Sequence, residues 1–262
     1  MRALHTAATG MMAQELNVQV ISNNIANMRT TGYKRQRAEF QDLLYQHVRR
    51  VGTQTSDQGT ILPAGIELGS GVKTVGTPRL MTQGSLLPTG KEYDLAVRGE
   101  GMFKIQLPDG RIAYTRDGSF ELDAQGRLVT AQGNLVQPGI TIPIDATSVT
   151  INSQGQVFVT QPSSSTPTQV GQLELSLFIN KSGLLGIGDN LFLETPASGT
   201  AQNGTPGTDG FGNLQQGNLE QANVEAVSEI SDLIAAQRAY EMNAKVISSA
   251  DQMLAATANL MR

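Results

Sequence analysis

The chain has no cysteine, no tryptophan and only two histidines, His5 and His47. Without cysteine there is no disulfide framework and no thiol chemistry. Nucleophilic catalysis needs a nucleophile beside a base, and a metal site needs clustered ligands; the two histidines supply neither. The sequence therefore predicts no catalytic residue, no metal and no cofactor. No apolar run approaches the ~20 residues of a membrane span, and the opening MRALHTAATGMM lacks the continuous apolar core of a secretory leader. These absences alone would place the protein in the cytoplasm. The net charge of −4 gives no bulk attraction to nucleic acid or a membrane surface.

Other chemistries fail on pattern. Asp109, Asp117 and Asp123 each stand close to a glycine, but none sits in a DxDxDG calcium loop, and Asp–Gly is the ordinary hairpin pair. Gly99–Glu100–Gly101 lacks the third glycine and following helix of a dinucleotide fingerprint; it marks a bulge or a close backbone approach. No carboxylate pair is singled out for glycoside hydrolysis.

What is present is periodicity at both ends. Residues 223–262 contain neither glycine nor proline. Ala226, Ile230, Leu233, Gln237, Tyr240, Ala244, Ile247, Asp251, Leu254, Ala258 and Met261 step alternately by four and three, and most are apolar, which is the seam of a coiled-coil helix. Asn223 suits its N-cap, with Glu225 and Glu229 in the first turns. At the other end Leu4, Ala7, Met11, Gln14, Val18, Ile21, Ile25 and Met28 repeat the pattern. That helix should stop between Asn27 and Thr31, with Gly32 left-handed just beyond. Residues 1–50 carry seven Lys/Arg against three Asp/Glu, whereas residues 215–262 carry three against six. Opposite signs suit two helices that pair, although each exposed ion pair contributes only about 0–1 kcal/mol.

Both helices also carry apolar groups off the seam: Met12, Leu16 and Val20 on the first, and Val227, Ile234, Val246 and Met253 on the last. One pairing does not cover them all. The expectation is that several copies pack their terminal helices together and that the ends are loose in an isolated monomer. The alternative is that the intervening domain covers these faces within one chain. Arg29, Lys34, Arg35 and Arg37 form a basic cluster that is either solvated or a contact to an acidic surface on a neighbouring copy; without a wider basic face, nucleic acid is not expected.

The middle reads differently. Val51 to Pro88 is punctuated by glycines and too long for a plain connection, so an extended arm or β-hairpin is expected. From Lys91 to Glu194 strand-like alternation appears at Phe103/Ile105/Leu107, Ile140/Ile142/Ile144 and Leu173/Leu175/Leu177. Turn signals such as PDG, RDG, DAQG and KSG punctuate it, as in antiparallel meanders. Gln161–Gln169 reads as a surface loop, and Pro196–Asn213 as a linker. The fold class is thus α+β: paired terminal coiled-coil helices (1–32 with 223–262), an extended arm or hairpin (33–90), a mainly antiparallel β domain, barrel or sandwich (91–195), and a Gly/Thr-rich return linker (196–222).

Three segments carry a family resemblance. ISNNIANMRTTGYKRQRAEFQDLL (residues 21–44), EYDLAVRGEGMFKIQLPDGRIAYTRDGSFELDAQGRLVTAQGNLV (residues 92–136) and GNLEQANVEAVSEISDLIAAQRAYEMNAKVISSADQMLAA (residues 217–256) resemble, in order, the signatures of bacterial flagellar axial proteins, the rod and hook group. The length is too short for a hook protein, so a rod member is implied, most similar to the distal rod, with a proximal rod subunit as the alternative within the family. The resemblance implies a non-catalytic, torque-bearing helical tube around an export channel. Its core would be the terminal helices, with Leu4, Ala7, Met11, Val18, Ile21, Ile25 and Met28 on the first and Ile230, Leu233, Tyr240, Ala244, Ile247 and Leu254 on the last at assembly interfaces. Implied partners are other copies, proximal rod proteins, the hook protein, and the ring proteins of the peptidoglycan and outer membrane. The resemblance further implies passage through the flagellar type III export apparatus without a cleaved signal peptide, to a basal body spanning the periplasm. A non-catalytic peptidoglycan- or carbohydrate-binding module is the alternative from another class.

Overall fold

The terminal periodicities become two helices, α1 (Arg2–Ala26) and α2 (Ala226–Leu260). In this computed structural model the described residues are 2–49, 64–162, 164–208 and 210–260. The sequence expectations at Met261 and across residues 50–63 of the arm lie outside them. α1 ends at Ala26, and Gly32 adopts φ +68°, the left-handed turn expected past a helix end. Asn223 does not cap α2, which begins three residues later. Its side chain instead donates to the carbonyl oxygens of Leu80 (2.7 Å) and Thr82 (3.1 Å) and accepts from the Arg35 backbone N–H (2.7 Å).

The chain divides into two units. The helical unit comprises residues 1–25, 36–78 and 225–262. Besides the helices it holds two antiparallel ribbons, Glu39–Asp42 with Val72–Gly76 and Tyr45–Arg49 with Ile66–Gly69. Of the expected arm, residues 39–42, 45–49, 66–69 and 72–76 are paired strand in this unit, whereas residues 33–35 and 79–90 belong to the β unit.

The β unit comprises residues 26–35 and 79–224. Its largest sheet has nine strands, all antiparallel, running in order 185–188, 191–193, 112–115, 102–106, 135–136, 128–130 and 120–122. Strand Leu175–Leu177 also pairs with Met102–Gln106 and with Gln202–Gly204. A three-stranded sheet (148–151, 156–161, 164–172) supplies Val149, Ile151, Val157 and Val159 to the same core as Phe103, Ile105, Leu128, Val136 and Leu175 of the larger sheet. Phe103 and Phe120 meet edge to face, ring centroids 5.0 Å apart. Such a shared apolar interior between sheets is what alternating strands bury.

Two sequence expectations change here. Residues 164–169 are strand rather than loop, paired to strand 156–161; the pairing uses backbone groups, which the polar composition did not reveal. The expected linker 196–222 contains three strands: Gln202–Gly204, Asn213–Gln216 and Asn218–Glu220. Strand pairing draws on backbone groups, so low apolar content hid them. At Ile140–Ile144 the expected alternation holds for Ile140 and Ile142, which are buried, and fails at Ile144, which is exposed; no regular strand forms.

Candidate assembly surfaces

In the helical unit α1 and α2 touch at two polar points. Asn24 Nδ2 donates to Glu229 Oε2 at 3.1 Å, and to the Gln36 carbonyl at 2.8 Å, while its Oδ1 accepts from the Gln36 N–H at 2.9 Å. At Gly10 an added methyl carbon would lie 2.8 Å from the Asn243 amide nitrogen. In both pairs the residue numbers add to 253, so the helices run antiparallel with one register. In α2 the deepest positions recur at every seventh residue: Glu229, Ala236 and Ala250 are buried and Asn243 is half-buried. A second row, Ala226, Leu233 and Ile247, is half-buried beside it. On α1 Thr9 faces the ribbon: its hydroxyl accepts from the Val72 N–H at 3.4 Å, where Gly71 leaves no side chain in the way.

The interface residues expected from sequence separate into groups. Ala7 and Ile21 are buried, and Leu4, Met11, Val18, Ile25, Leu233 and Ile247 are half-buried. Met28 lies beyond the end of α1 and is exposed, as are Ile230, Tyr240, Ala244 and Leu254 on α2. Opposite the buried rows α2 presents Val227, Ile234, Met242, Val246 and Met253, between 46% and 77% exposed. The ribbon Tyr45–Arg49/Ile66–Gly69 is exposed at every position, with Tyr45, Val48, Ile66 and Leu68 uncovered. A two-stranded ribbon of this kind is marginal by itself.

The β unit contains a charge cluster that the sequence did not reveal. Glu220, fully buried on strand Asn218–Glu220, accepts from Lys34 Nζ (2.5 Å), Arg116 Nε (2.5 Å) and the Gly84 N–H (2.9 Å). Lys34 also donates to the Thr82 carbonyl at 2.8 Å. Arg116 donates to the carbonyls of Val97 (2.8 Å), Gly99 (2.5 Å) and Gly101, which explains the GEG segment: Gly99 and Gly101 take φ +107° and +136°, and their carbonyls turn in toward the guanidinium. Of the basic cluster, Lys34 is thus engaged within its own chain. Arg37 pairs with Glu39 at the surface (2.7 Å), and Arg29 is exposed; Arg35 is half-buried, its backbone N–H on Asn223. Burial, opposed by Glu220, lowers the Lys34 ammonium below its ordinary range.

Burial pushes the Glu220 carboxyl up, but the Arg116 and Lys34 charges outweigh it and hold the group below the usual carboxylate range. A depressed carboxyl adds stability that is fully present above its unfolded pKa of about 4.3 and is lost as pH falls through the folded value. The urea midpoint of the unsubstituted chain is expected to drop more between about pH 6 and pH 3 than that of E220Q, whose amide does not titrate. Parallel decline of the two chains would contradict this.

The other candidates for chemistry are committed locally. Asp109 accepts from the Arg111 N–H (3.0 Å), Asp117 from the Ser119 N–H (3.0 Å) and Asp123 from the Gln125 N–H (2.9 Å), each inside its own turn. His5 is exposed on α1, and His47 lies 3.0 Å from Glu67 on the ribbon. Among the described residues no three His, Asp or Glu side chains are grouped to hold a metal, and no helix is long and apolar enough to cross a membrane.

The family model described as "Flagella basal body rod protein" matches residues 4–34. "Flagellar hook protein FlgE/F/G D1 domain" matches residues 96–159, and "Flagellar basal body rod FlgEFG protein C-terminal" matches residues 215–260. The chain is 57% identical over 260 residues to the flagellar basal-body rod protein FlgG of Caulobacter vibrioides, covering 99% of each chain. It is 49% identical over 253 residues to the protein of the same name from Agrobacterium fabrum, covering 97% of each. A flagellar hook protein FlgE of Helicobacter pylori is 40% identical over 139 residues, 52% of this chain but 19% of that one.

Proposed function

The chain belongs to the flagellar basal-body rod protein family, is a structural subunit most similar to the distal rod members, and from that premise we propose how it builds the rod. α1 and α2 form an antiparallel coiled coil within each chain, and copies pack these coils side by side into the inner wall of a helical tube. The observation that carries this is the apolar face of α2 opposite the buried rows, Val227, Ile234, Met242, Val246 and Met253, which the chain leaves exposed. Ile230, Tyr240, Ala244 and Leu254 on α2, and Leu4, Met11, Val18, Ile25 and Met28 at the first end, meet neighbouring copies. Arg29, Arg35 and Arg37 meet acidic surface on them, and Ala7, Ile21, Leu233 and Ile247 close the coil within the chain. The tube carries torque as a drive shaft and encloses a channel for exported subunits. The chain leaves through the flagellar type III export apparatus without a cleaved signal and spans the periplasm. It meets the proximal rod below, the hook above, and the ring proteins of the peptidoglycan and outer membrane at its side.

Amide hydrogen exchange on monomer and on filaments tests the core. Slow exchange across residues 4–28 and 224–260 is expected only after assembly, because local opening sets exchange where tertiary cover is missing. Equal protection in the monomer would mean that the helices are a finished domain and that assembly lies elsewhere.

The ribbons and the segment between them act as a brace between neighbours, a reading supported by the uncovered apolar side chains of Tyr45–Arg49 and Ile66–Gly69. Deleting residues 51–76 is expected to shorten the persistence length of filaments measured on electron micrographs. Filaments of unchanged stiffness would refute the brace.

A further inference from the structure

Beside one edge of the nine-stranded sheet in the β unit lies a cation without an acceptor. Arg79 is half-buried, with its guanidinium carbon 5.1 Å from the centroid of the Phe192 ring. Gly186, paired with Phe192 on the end strand of the sheet, leaves it room; a side-chain carbon there would collide with the guanidinium. The backbone next to it is tethered, the Leu80 N–H on the Arg35 carbonyl at 2.9 Å and the Leu80 carbonyl on the Asn223 amide. Among the described residues the guanidinium makes neither a hydrogen bond nor an ion pair. It borders a depression of about 190 Å³, and Asp189 on the rim does not pair with it. Burial lowers the Arg79 pKa below the ordinary arginine value, so the charge is held there without a counterion. Half-buried donors without acceptors are costly, and the rigid fork of a guanidinium fits both oxygens of a carboxylate.

Strand register places an unpaired carboxylate on the same face at the opposite edge. Residues directly opposite each other in antiparallel pairs share a face, as do residues two apart along a strand. Phe192 stands opposite Tyr114, and Tyr114 opposite Lys104. Two residues on, Gln106 stands opposite Leu135, Leu135 opposite Val129, and Val129 opposite Glu121. The ring under Arg79 and the Glu121 side chain thus lie at the two ends of one sheet face, the face turned away from Phe103 and Phe120. Strand 120–122 ends the sheet on that side, as strand 185–188 does on the other. Glu121 is exposed and, among the described residues, has neither an ion pair nor a hydrogen bond. We propose that Arg79 receives the Glu121 carboxylate of a neighbouring copy, a contact between the β units of adjacent chains that rests on the assembly reading above. Two sheets laid edge to edge with the same face outward bring these groups together. Two Arg79 edges, or two Glu121 edges, would set like charges against each other, so the pair also gives the contact its polarity. A head-to-tail contact of this kind, repeated without closing, builds a helical polymer.

Charge reversal tests the contact. R79E and E121R, each alone, are expected to raise the critical concentration for polymerisation on the order of tenfold or more, because each sets like charges opposite one another. R79E/E121R restores opposite charges with their places exchanged and is expected to return most of the way to the parent's value. Sedimentation of filaments against concentration reads all four chains, with the urea midpoint as the control for folding. Added salt is expected to narrow the differences among them. If R79E does not fold for want of its packing on Phe192, E121R decides alone, because Glu121 is exposed. Polymerisation of E121R at the parent's concentration, or a folded double variant no better than the worse single one, would overturn the proposal, and Arg79 would then hold a free anion or water. A parent that forms no filaments would count against the assembly reading. The contact would then be read by equilibrium sedimentation as a self-association of the parent that E121R abolishes, and equal association of the two chains would overturn it.

Discussion

Replacing Glu220 with alanine is expected to destabilise the β unit by about 3–5 kcal/mol, the range found when one member of a buried ion pair is removed and its partner stays charged. The carboxylate has 0% side-chain exposure and serves two cations, whose own side chains are 2% and 6% exposed. Arg116 keeps three backbone carbonyls in the variant, whereas Lys34 keeps only that of Thr82, so the lysine bears most of the loss. Natural domains have about 5–15 kcal/mol in total, so E220A removes much of what the unit has. Because burial already lowers Lys34, the ammonium of the variant gives up its proton readily, and the deficit should narrow as pH rises toward the lysine range near about 10. Urea denaturation of the two chains at neutral and alkaline pH measures both effects. A loss below about 1 kcal/mol would mean that water or relaxation solvates the cluster.

Filament formation is expected to fail in I234D/M242D while the fold of the monomer survives. Both positions are exposed in the single chain, Ile234 at 46% and Met242 at 60%, so a carboxylate there costs the monomer little. Between copies each side chain would bury about 1.5–3 kcal/mol of apolar surface, and aspartate forfeits that and must also be desolvated. At 1.4 kcal/mol per factor of ten, the critical concentration for polymerisation should rise on the order of 100-fold or more. Sedimentation of filaments against concentration reads it directly, with the β-unit unfolding midpoint as the control for folding. Polymerisation at the parent's concentration would exclude this face from the contact between copies.

The buried positions of the two helices were legible only in part, for one reason in both helices. Ala7, Ile21, Ala226, Leu233 and Ile247 are apolar and conspicuous, and they lie in or beside the buried rows. The companion row runs one position away from the expected Met11, Val18, Ile25 and Ile230, through Gly10, Asn17, Asn24, Glu229, Ala236, Asn243 and Ala250. A search for apolar periodicity passes over small and polar residues, yet these are what permit close approach and carry specific hydrogen bonds. Asn223 illustrates the same point: it has the right chemistry for a cap, but the backbone of residues 80–82 and of Arg35 claims it first. Turns were readable because Asp and Gly act through their immediate neighbours. The Glu220 cluster was not, because its members are 186 and 104 positions apart and no local pattern announces them.

The Asn223–Leu80 hydrogen bond has a use in protein engineering. Residues 80 and 223 mark the two ends of nearly the whole β unit, and 2.7 Å separates the donor nitrogen from the acceptor oxygen. Everything between them is an insertion whose two ends adjoin. An insertion of another size, even a foreign fold whose termini lie equally close together, could occupy the same place without changing the spacing of the chain that enters and leaves it.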